Sequence, residues 1–357
     1  MILTKLKLNN FRNYQNLEIN FTNGVNYILG ENASGKTNLV EAIYFLSITR
    51  SFKTSNPIDL IKNNENYFYI NGELLNNNYQ NNLEIYFDKI GKKIKINKTK
   101  IDKISELSKY VNVLVFTPKD TFLLKEPPKT RRFFLNLNIS KTYKEYTSCL
   151  INYEKILKER NLILKNKDVN KIYLSTLTKQ LIKYSKEIYL YRKKYIDELN
   201  KHIDYVYKNL DKKNNYINIK YLSFINDFEN YENIAIKKYQ ESLTNDINKQ
   251  VTNIGIHKED FLIELQNKDV GKYGSQGENR LVTLSLILSN YFINSEFNIK
   301  PIVILDDVLS ELDDYHEELL IKFLKEFEQV FITGTKENTL LKNNCYQISN
   351  NLIERRY

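Results

Sequence analysis

Val25-Asn26-Tyr27-Ile28-Leu29 runs straight into Gly30-Glu31-Asn32-Ala33-Ser34-Gly35-Lys36-Thr37, and the chain goes on through Leu39, Ala42, Ile43 and Leu46. The first five residues read as a short apolar strand and the last four as a helical stripe. Between them lies the spacing G-x-x-x-x-G-K-T, in the strand–loop–helix setting that gives the pattern its meaning. Glycines let the backbone curl until successive N–H groups point inward at phosphate oxygens. A helix N-terminus adds partial positive charge at the same point. Lys36 is placed to reach the β- and γ-phosphates of a nucleotide, and Thr37 to offer its hydroxyl oxygen to Mg²⁺.

A phosphate loop of this kind needs a carboxylate nearby. Ile302-Val303-Ile304-Leu305 is apolar at every position, as a strand inside a parallel sheet should be, and it ends in Asp306-Asp307. A carboxylate at the C-terminal end of a central strand belongs beside the phosphate loop. Asp306 is the expected magnesium partner, and Asp307 the residue that orients or deprotonates attacking water. Upstream, Tyr273-Gly274-Ser275-Gln276-Gly277-Glu278-Asn279-Arg280 opens an apolar helix carrying Leu281, Leu284 and Leu288. Ser275 and Gly277 therefore sit at a second helix start, again a phosphate-type position. That helix differs from the one behind the phosphate loop, which suggests a second phosphate contact made across a dimer.

The chain has 357 residues, about two domains' worth, and at 42% hydrophobic it can build a real core. Two cysteines exclude a disulfide framework or a Cys-based metal site. No apolar run approaches the ~18 residues of a membrane span, and the N-terminus lacks a signal-type apolar block, so a soluble cytoplasmic protein is expected. The net charge of +10 permits a polyanionic partner. Lys, however, far outnumbers Arg, as coding drift in an AT-rich genome also produces.

Gly and Pro are unevenly placed: residues 129–254 contain neither. Long uninterrupted helices follow from that. Leu177, Leu181, Tyr184, Ile188, Tyr191 and Tyr195 form one stripe, and Leu150, Tyr153, Leu157 and Leu164 another, both read as ordinary core packing in preference to an extended coiled coil. The flanks alternate as strands do, at Ile2–Leu8, Leu17–Phe21, Leu83–Phe87, Lys93–Ile96 and Val330–Thr333. The Asn-rich stretch 76–82 reads as a loop tip. The expected architecture is a split α/β head with a mixed sheet: an N-terminal lobe at 1–115, a helical insertion at 116–250 and a C-terminal lobe at 251–357.

These motifs, in this order, resemble the head domains of the ABC/SMC superfamily of ATPases, and within it the RecF family of replication and recombinational repair. Leu8-Asn9-Asn10-Phe11-Arg12-Asn13-Tyr14, Phe116-Thr117-Pro118-Lys119-Asp120, Arg131-Arg132-Phe133-Phe134-Leu135 and the block Leu305-Asp306-Asp307-Val308-Leu309-Ser310-Glu311-Leu312-Asp313 look like family segments. The insertion of about 130 residues is too short for the long-armed relatives. The resemblance implies that Gly30, Glu31, Asn32, Ala33, Ser34, Gly35, Lys36 and Thr37 hold ATP and, with Asp306, Mg²⁺. It implies that Arg12 and Asn13 flank the nucleotide, that Ser275, Gln276 and Gly277 touch the γ-phosphate bound by a second copy, and that Ser310 and Asp313 lie at the dimer seam. Asp307 stands where many relatives have Glu. No His follows Val330-Phe331-Ile332, so Thr333 or Thr335 is left for that role. Both departures suggest slow, switch-like hydrolysis. His257, in Gly255-Ile256-His257-Lys258-Glu259-Asp260, is either structural or catalytic.

The resemblance further implies DNA as partner (single-stranded, gapped or junction), a homodimer in the ATP-bound state, RecR and RecO as companions, and a part in SOS induction. The residues add Lys93, Lys95 and Lys98, a cationic strand face with Ile94 and Ile96 turned inward, and Arg131 and Arg132, which fork well onto phosphate. Two other readings stay open: a nucleotide-binding subunit of a transport system, and a DNA-binding scaffold with a vestigial ATP site.

Overall fold

The computed structural model describes residues 1–76, 79–166, 168–213, 215–349 and 352–356. In chain order these form β1 (Ile2–Phe11), β2 (Tyr14–Asn20), β3 (Gly24–Gly30), α1 (Lys36–Ile48), β4 (Tyr67–Asn76), β5 (Tyr79–Asp88), β6 (Lys92–Ile96), β7 (Thr99–Lys100), β8 (Val113–Phe116), α2 (Pro128–Thr142), α3 (Lys144–Ile163), α4 (Lys171–Leu210), β9 (Ile217–Leu222), α5 (Tyr231–Lys249), β10 (Asp260–Leu265), β11 (Lys268–Asp269), α6 (Val270–Tyr273), α7 (Gln276–Glu296), β12 (Ile302–Leu305), α8 (Asp314–Leu324), β13 (Gln329–Gly334), β14 (Cys345–Ser349) and β15 (Leu352–Arg355). Two compact units result, one of Met1–Thr121, Tyr205–Asn214 and Gln276–Tyr357, the other of Phe122–Asp204 and Asn215–Ser275.

The first unit holds two six-stranded sheets. One is antiparallel, in the order β2-β1-β4-β5-β6-β7, and the other runs β15-β14-β3-β13-β12-β8, parallel except at its β15 edge. Helix α1 is buried on most of its circumference, at Leu39, Val40, Ala42, Ile43, Phe45 and Leu46. These residues share one core with Leu6, Leu8, Phe68, Ile70, Ile85, Ile94 and Ile96 of the antiparallel sheet and with Ile28, Ile302, Ile304 and Phe331 of the parallel one. A helix buried on most of its sides is what such a sandwich requires.

In the second unit, α2, α3, α5, α6 and the part of α4 up to Asp204 accompany a three-stranded sheet, β11-β10-β9. The expected insertion was purely helical, but Ile217-Asn218-Ile219-Lys220-Tyr221-Leu222 alternates with period two and buries Ile217 and Ile219. It pairs with β10, which draws residues 251–275 into this unit. Conversely, residues 116–121 follow β8 out of the parallel sheet and belong to the first unit. The divisions therefore fall at other residues than 115 and 250. Of the Asn-rich stretch, Asn77 and Asn78 lie outside the described residues, and Tyr79–Asn82 is strand, paired with Glu73–Asn76. Of the helical stripes, Tyr153, Leu164, Leu177, Leu181, Ile188 and Tyr195 are buried, while Leu150, Leu157, Tyr184 and Tyr191 are half-buried.

Candidate phosphate site

The site is built where β3 hands over to α1. Gly35 stands at φ 109° as the helix N-cap, and no side chain caps α1 there. The first N–H groups of the helix are thus left for a ligand. A Cβ on Gly35 would sit 2.6 Å from Asn13 Nδ2 and 2.8 Å from the Tyr14 hydroxyl, and one on Gly30 would sit 2.8 Å from the Ile348 carbonyl. Both positions require glycine for space, and Gly35 for its backbone as well.

Lys36 is only 7% exposed. Its Nζ donates to the carbonyls of Gly30 and Glu31, each at 2.7 Å, so the ammonium lies folded over the loop. Burial pushes its pKa down, while Asp307 and Asp306 pull it back up. Strand β12 does not adjoin β3; β13 runs between them. From that middle strand Thr333 fills the gap. Its hydroxyl donates to Asp306 Oδ1 at 2.8 Å and accepts the Asp307 N–H at 2.8 Å. Thr37 Oγ1 donates to the same Asp306 oxygen at 3.0 Å. Burial raises the Asp306 pKa, and the two hydroxyls oppose it. Asp307 takes the left-handed backbone, φ 53°, which aspartate tolerates better than most residues. Its Oδ1 is buried and has no partner among the described residues.

Together Asn32, Ala33, Gly35, Lys36, Thr37, Asn38, Lys53, Asp307 and Thr333 line a cavity of about 230 Å³. Asn38 and Lys53 also line a wider basin of about 920 Å³ with Arg12, Asn13, Lys62 and Lys119. Asn13 accepts from Asn38 Nδ2 at 2.8 Å, which ties the β1–β2 turn to the helix. Arg12 grips the buried Glu41 with two bonds of 2.9 and 2.8 Å and lies at the basin wall. Lys53, shared by both spaces, was not singled out in the sequence. Its Nζ donates to Asn38 at 3.2 Å, and burial lowers its pKa. The only sequence hint was a lysine one short loop beyond α1.

The signature residues Ser275, Gln276 and Gly277 do not line the phosphate cavity. A Cβ at Gly277 would meet open space. Arg280, one turn into α7, binds the carbonyl and carboxylate of Glu311. Beside it Ser310 Oγ donates to the Asp307 carbonyl at 2.9 Å, and Asp313 caps α8 by accepting the His316 N–H at 2.9 Å. Ser310 and Asp313 thus already have structural roles within one chain.

Elsewhere the outcome is mixed. Arg131 is consumed by Asp260 and by the carbonyls of Leu124 (3.1 Å) and Glu126 (2.5 Å), so it holds its own unit together and has no free fork for phosphate. Arg132 donates to the Glu259 carbonyl at 2.8 Å. His257 is structural: Nε2 donates to the Thr252 carbonyl at 3.0 Å, so Nδ1 accepts from the Tyr153 hydroxyl at 2.7 Å. Burial lowers its pKa to about 4, and the ring is neutral. Lys93 and Lys95 stand exposed on one face of β6, with Ile94 and Ile96 buried behind, and Lys98 lies in the turn to β7 at φ 70°.

A family model described as the RecF/RecN/SMC N terminal domain matches residues 2–351. The DNA replication and repair protein RecF of Clostridium perfringens (strain SM101 / Type A) is 37% identical over 342 residues, 95% of either chain. RecF of Clostridioides difficile (strain 630) is 36% identical over 342 residues, 94% of this chain and 92% of its own. A solved structure of the recombination mediator protein RecF-ATP in the RecFOR pathway superposes with a TM-score of 0.89 at 32% identity, covering 99% of this chain and 97% of its own. A Pyrococcus furiosus Smc head domain shares the fold, at a TM-score of 0.58 and 16% identity over 99% of this chain and 95% of its own. With a family match along almost the whole chain and relatives of such identity, the chain belongs to the RecF/RecN/SMC family, in its RecF branch.

Proposed function

We propose that this chain is a DNA replication and repair ATPase in which ATP closes two copies on DNA and slow hydrolysis releases them. The observation that carries the reading is the cluster Thr37–Asp306–Thr333, one carboxylate oxygen receiving two hydroxyls directly beneath a phosphate loop. Such oxygens suit a hard dication. A dication such as Mg²⁺ bound here would take part of its shell from these oxygens. Thr37 and Asp306 are the protein's share of that shell. When bound, Mg²⁺ neutralises charge on the β- and γ-phosphates.

The remaining steps belong to the chain. Lys36 leaves the Gly30 and Glu31 carbonyls for the phosphates, exchanging two neutral acceptors for anionic ones. The basin bounded by Arg12, Asn13 and Lys62 takes the nucleoside end. Asp307 Oδ1, buried and unpartnered, accepts the proton of attacking water. Its side chain is one methylene shorter than glutamate, which fits slow turnover. Ser275, Gln276 and Gly277 meet the γ-phosphate held by a second copy, and release of that phosphate opens the pair. DNA stimulation, RecO and RecR as companions, and a cytoplasmic setting complete the proposal; no helix of the described residues is long and apolar enough to cross a membrane.

Phosphate release is to be measured with and without gapped DNA for the wild type, Lys36→Met and Asp306→Asn. Both variants are expected to lose at least 100-fold of the turnover, the scale of a lost charge-stabilising group in phosphoryl transfer. Turnover unchanged in Lys36→Met would exclude this site as the source of hydrolysis.

A further inference from the structure

The antiparallel sheet of the first unit has one face in the core and one face outward. On the outward face, the register lines up Asn16, Asn9, Tyr69, Tyr86 and Lys93 across five strands, and Glu18, Lys7, Asn71, Glu84, Lys95 and Lys100 in the next row. Tyr67 and Tyr86 stack, with centroids 5.4 Å apart and planes 22° apart, and Tyr67 is 37% exposed. Lys93 Nζ lies 5.9 Å from the Tyr86 ring centroid. Tyr69, Glu84, Tyr86, Lys93 and Lys95 line an open groove of about 280 Å³.

Two features of this face work against folding. Aromatic rings are left toward water where threonine or lysine would serve. Lys95 is also paired directly opposite Lys100, a like-charge pair that destabilises a sheet. Lys100 has Asp102 at 3.0 Å, but Lys93, Lys95 and Lys98 make no ion pair among the described residues. Glu84, held by the Tyr69 hydroxyl at 3.1 Å, offsets one of these lysines, leaving a cationic edge beside an aromatic row.

We infer that this face is a stacking platform for single-stranded DNA, with bases on Tyr67, Tyr69 and Tyr86 and the backbone along Lys93, Lys95 and Lys98. The reading rests on the DNA function proposed above and adds which form of DNA this surface takes. A duplex keeps its bases stacked on one another and offers only phosphates, for which the tyrosines are of no use. A single strand offers ring faces as well. Exposed Tyr67, with half-buried Tyr69 and Tyr86 beside it on an antiparallel sheet flanked by cations, meets both demands. A site of this width seats two or three bases, the number an open sheet of this kind commonly stacks.

The chain contains no tryptophan, so Tyr86→Trp places a single reporter in the groove. With ATP and Mg²⁺ present, a dT oligonucleotide is to be titrated into this variant while anisotropy of the labelled DNA and emission of the introduced indole are read together; a matched duplex forms the second arm. Saturable quenching of the indole by the single strand, and little by the duplex, is expected. In the otherwise wild-type chain, Tyr67→Thr with Tyr86→Thr should weaken single-strand binding by roughly thirtyfold or more, the scale of two lost base–aromatic stacks. Lys93→Glu with Lys95→Glu should weaken it further at low salt and flatten the dependence of log K on log salt by about two. ATP turnover without DNA serves as the check that these variants fold. Binding by anisotropy with the indole emission unmoved, or equal quenching by duplex, would overturn the platform and leave the DNA function standing. Absence of any DNA binding by the wild type would remove both.

Discussion

Thr333 shows how much one hydroxyl can carry. It donates to the Asp306 carboxylate and accepts from the Asp307 backbone, so it orients one carboxylate and pins the main chain of the next residue at once. Thr333→Val keeps the volume and removes both bonds. It should leave nucleotide affinity within a few-fold and lower turnover by roughly 10- to 100-fold, on the scale of ~1.5–3 kcal/mol for a hydrogen bond to a charged group. Fluorescent-nucleotide titration and phosphate release separate the two quantities; equal loss in both would mean that the hydroxyl merely holds the pocket together. His257 gives a pH prediction at the same scale. Its folded pKa, about 4, lies below the ordinary 6.5, so between these values the unfolded chain binds more protons. Stability should therefore fall as pH drops from about 6.5 toward 4, by up to ~3 kcal/mol from this ring alone. Urea unfolding at pH 7 and pH 5 should show a smaller loss for His257→Gln than for the wild type. The sequence could not choose between a structural and a catalytic His257, because its partners Tyr153 and Thr252 lie on elements whose arrangement only the fold reveals.

At the scale of elements, the legible parts were those with a local rule. The glycine spacing before α1 and the all-apolar β12 each state their own conformation. Strands β4, β9 and β10 were not read: Tyr67–Asn76 carries Asn and Gly amid its apolar positions, and β9 sits in a region whose lack of breakers suggested helix throughout. Arg131 shows the same dependence on distant contacts. Scarcity of arginine marks a residue worth noticing, but its partner Asp260 lies 129 positions away. The second unit depends on such distant pairs. Arg160 of α3 meets Asp246 of α5 at 2.8 Å, both side chains 1% exposed or less, and Asp246 also receives Ser242 Oγ at 3.0 Å and Asn253 N–H at 2.9 Å. Removing one member of a buried pair strands the other charge. Asp246→Leu should therefore cost about 3–5 kcal/mol in urea unfolding, whereas Arg160→Met with Asp246→Leu together should recover part of that loss. A double variant no better than the single one would show that the hydrogen bonds to Asn253 and Ser242 outweigh the charge.

For the whole molecule the question is how one phosphate site would serve the proposed switch. Lys36, Thr37, Asp306, Asp307 and Thr333 come together in one chain, while Ser275, Gln276 and Gly277 are absent from that cavity's lining. At the start of α7, Gly277 offers no side chain to obstruct an approaching anion, and Arg280 anchors the helix to Glu311, next to the turn that leaves Asp307. Under the proposed function this helix start meets the phosphate held by a second copy. Sedimentation should then show a monomer without nucleotide and a dimer with ATP and Mg²⁺. Asp307→Asn, which keeps the loop, Thr37 and Asp306 but loses the water's base, should persist as a dimer long after the wild type has reverted. Ser275→Arg should stay monomeric while still binding nucleotide. If Ser275→Arg instead lost nucleotide affinity as a monomer, the signature would be acting on its own phosphate loop, and closure between two copies would have to be given up.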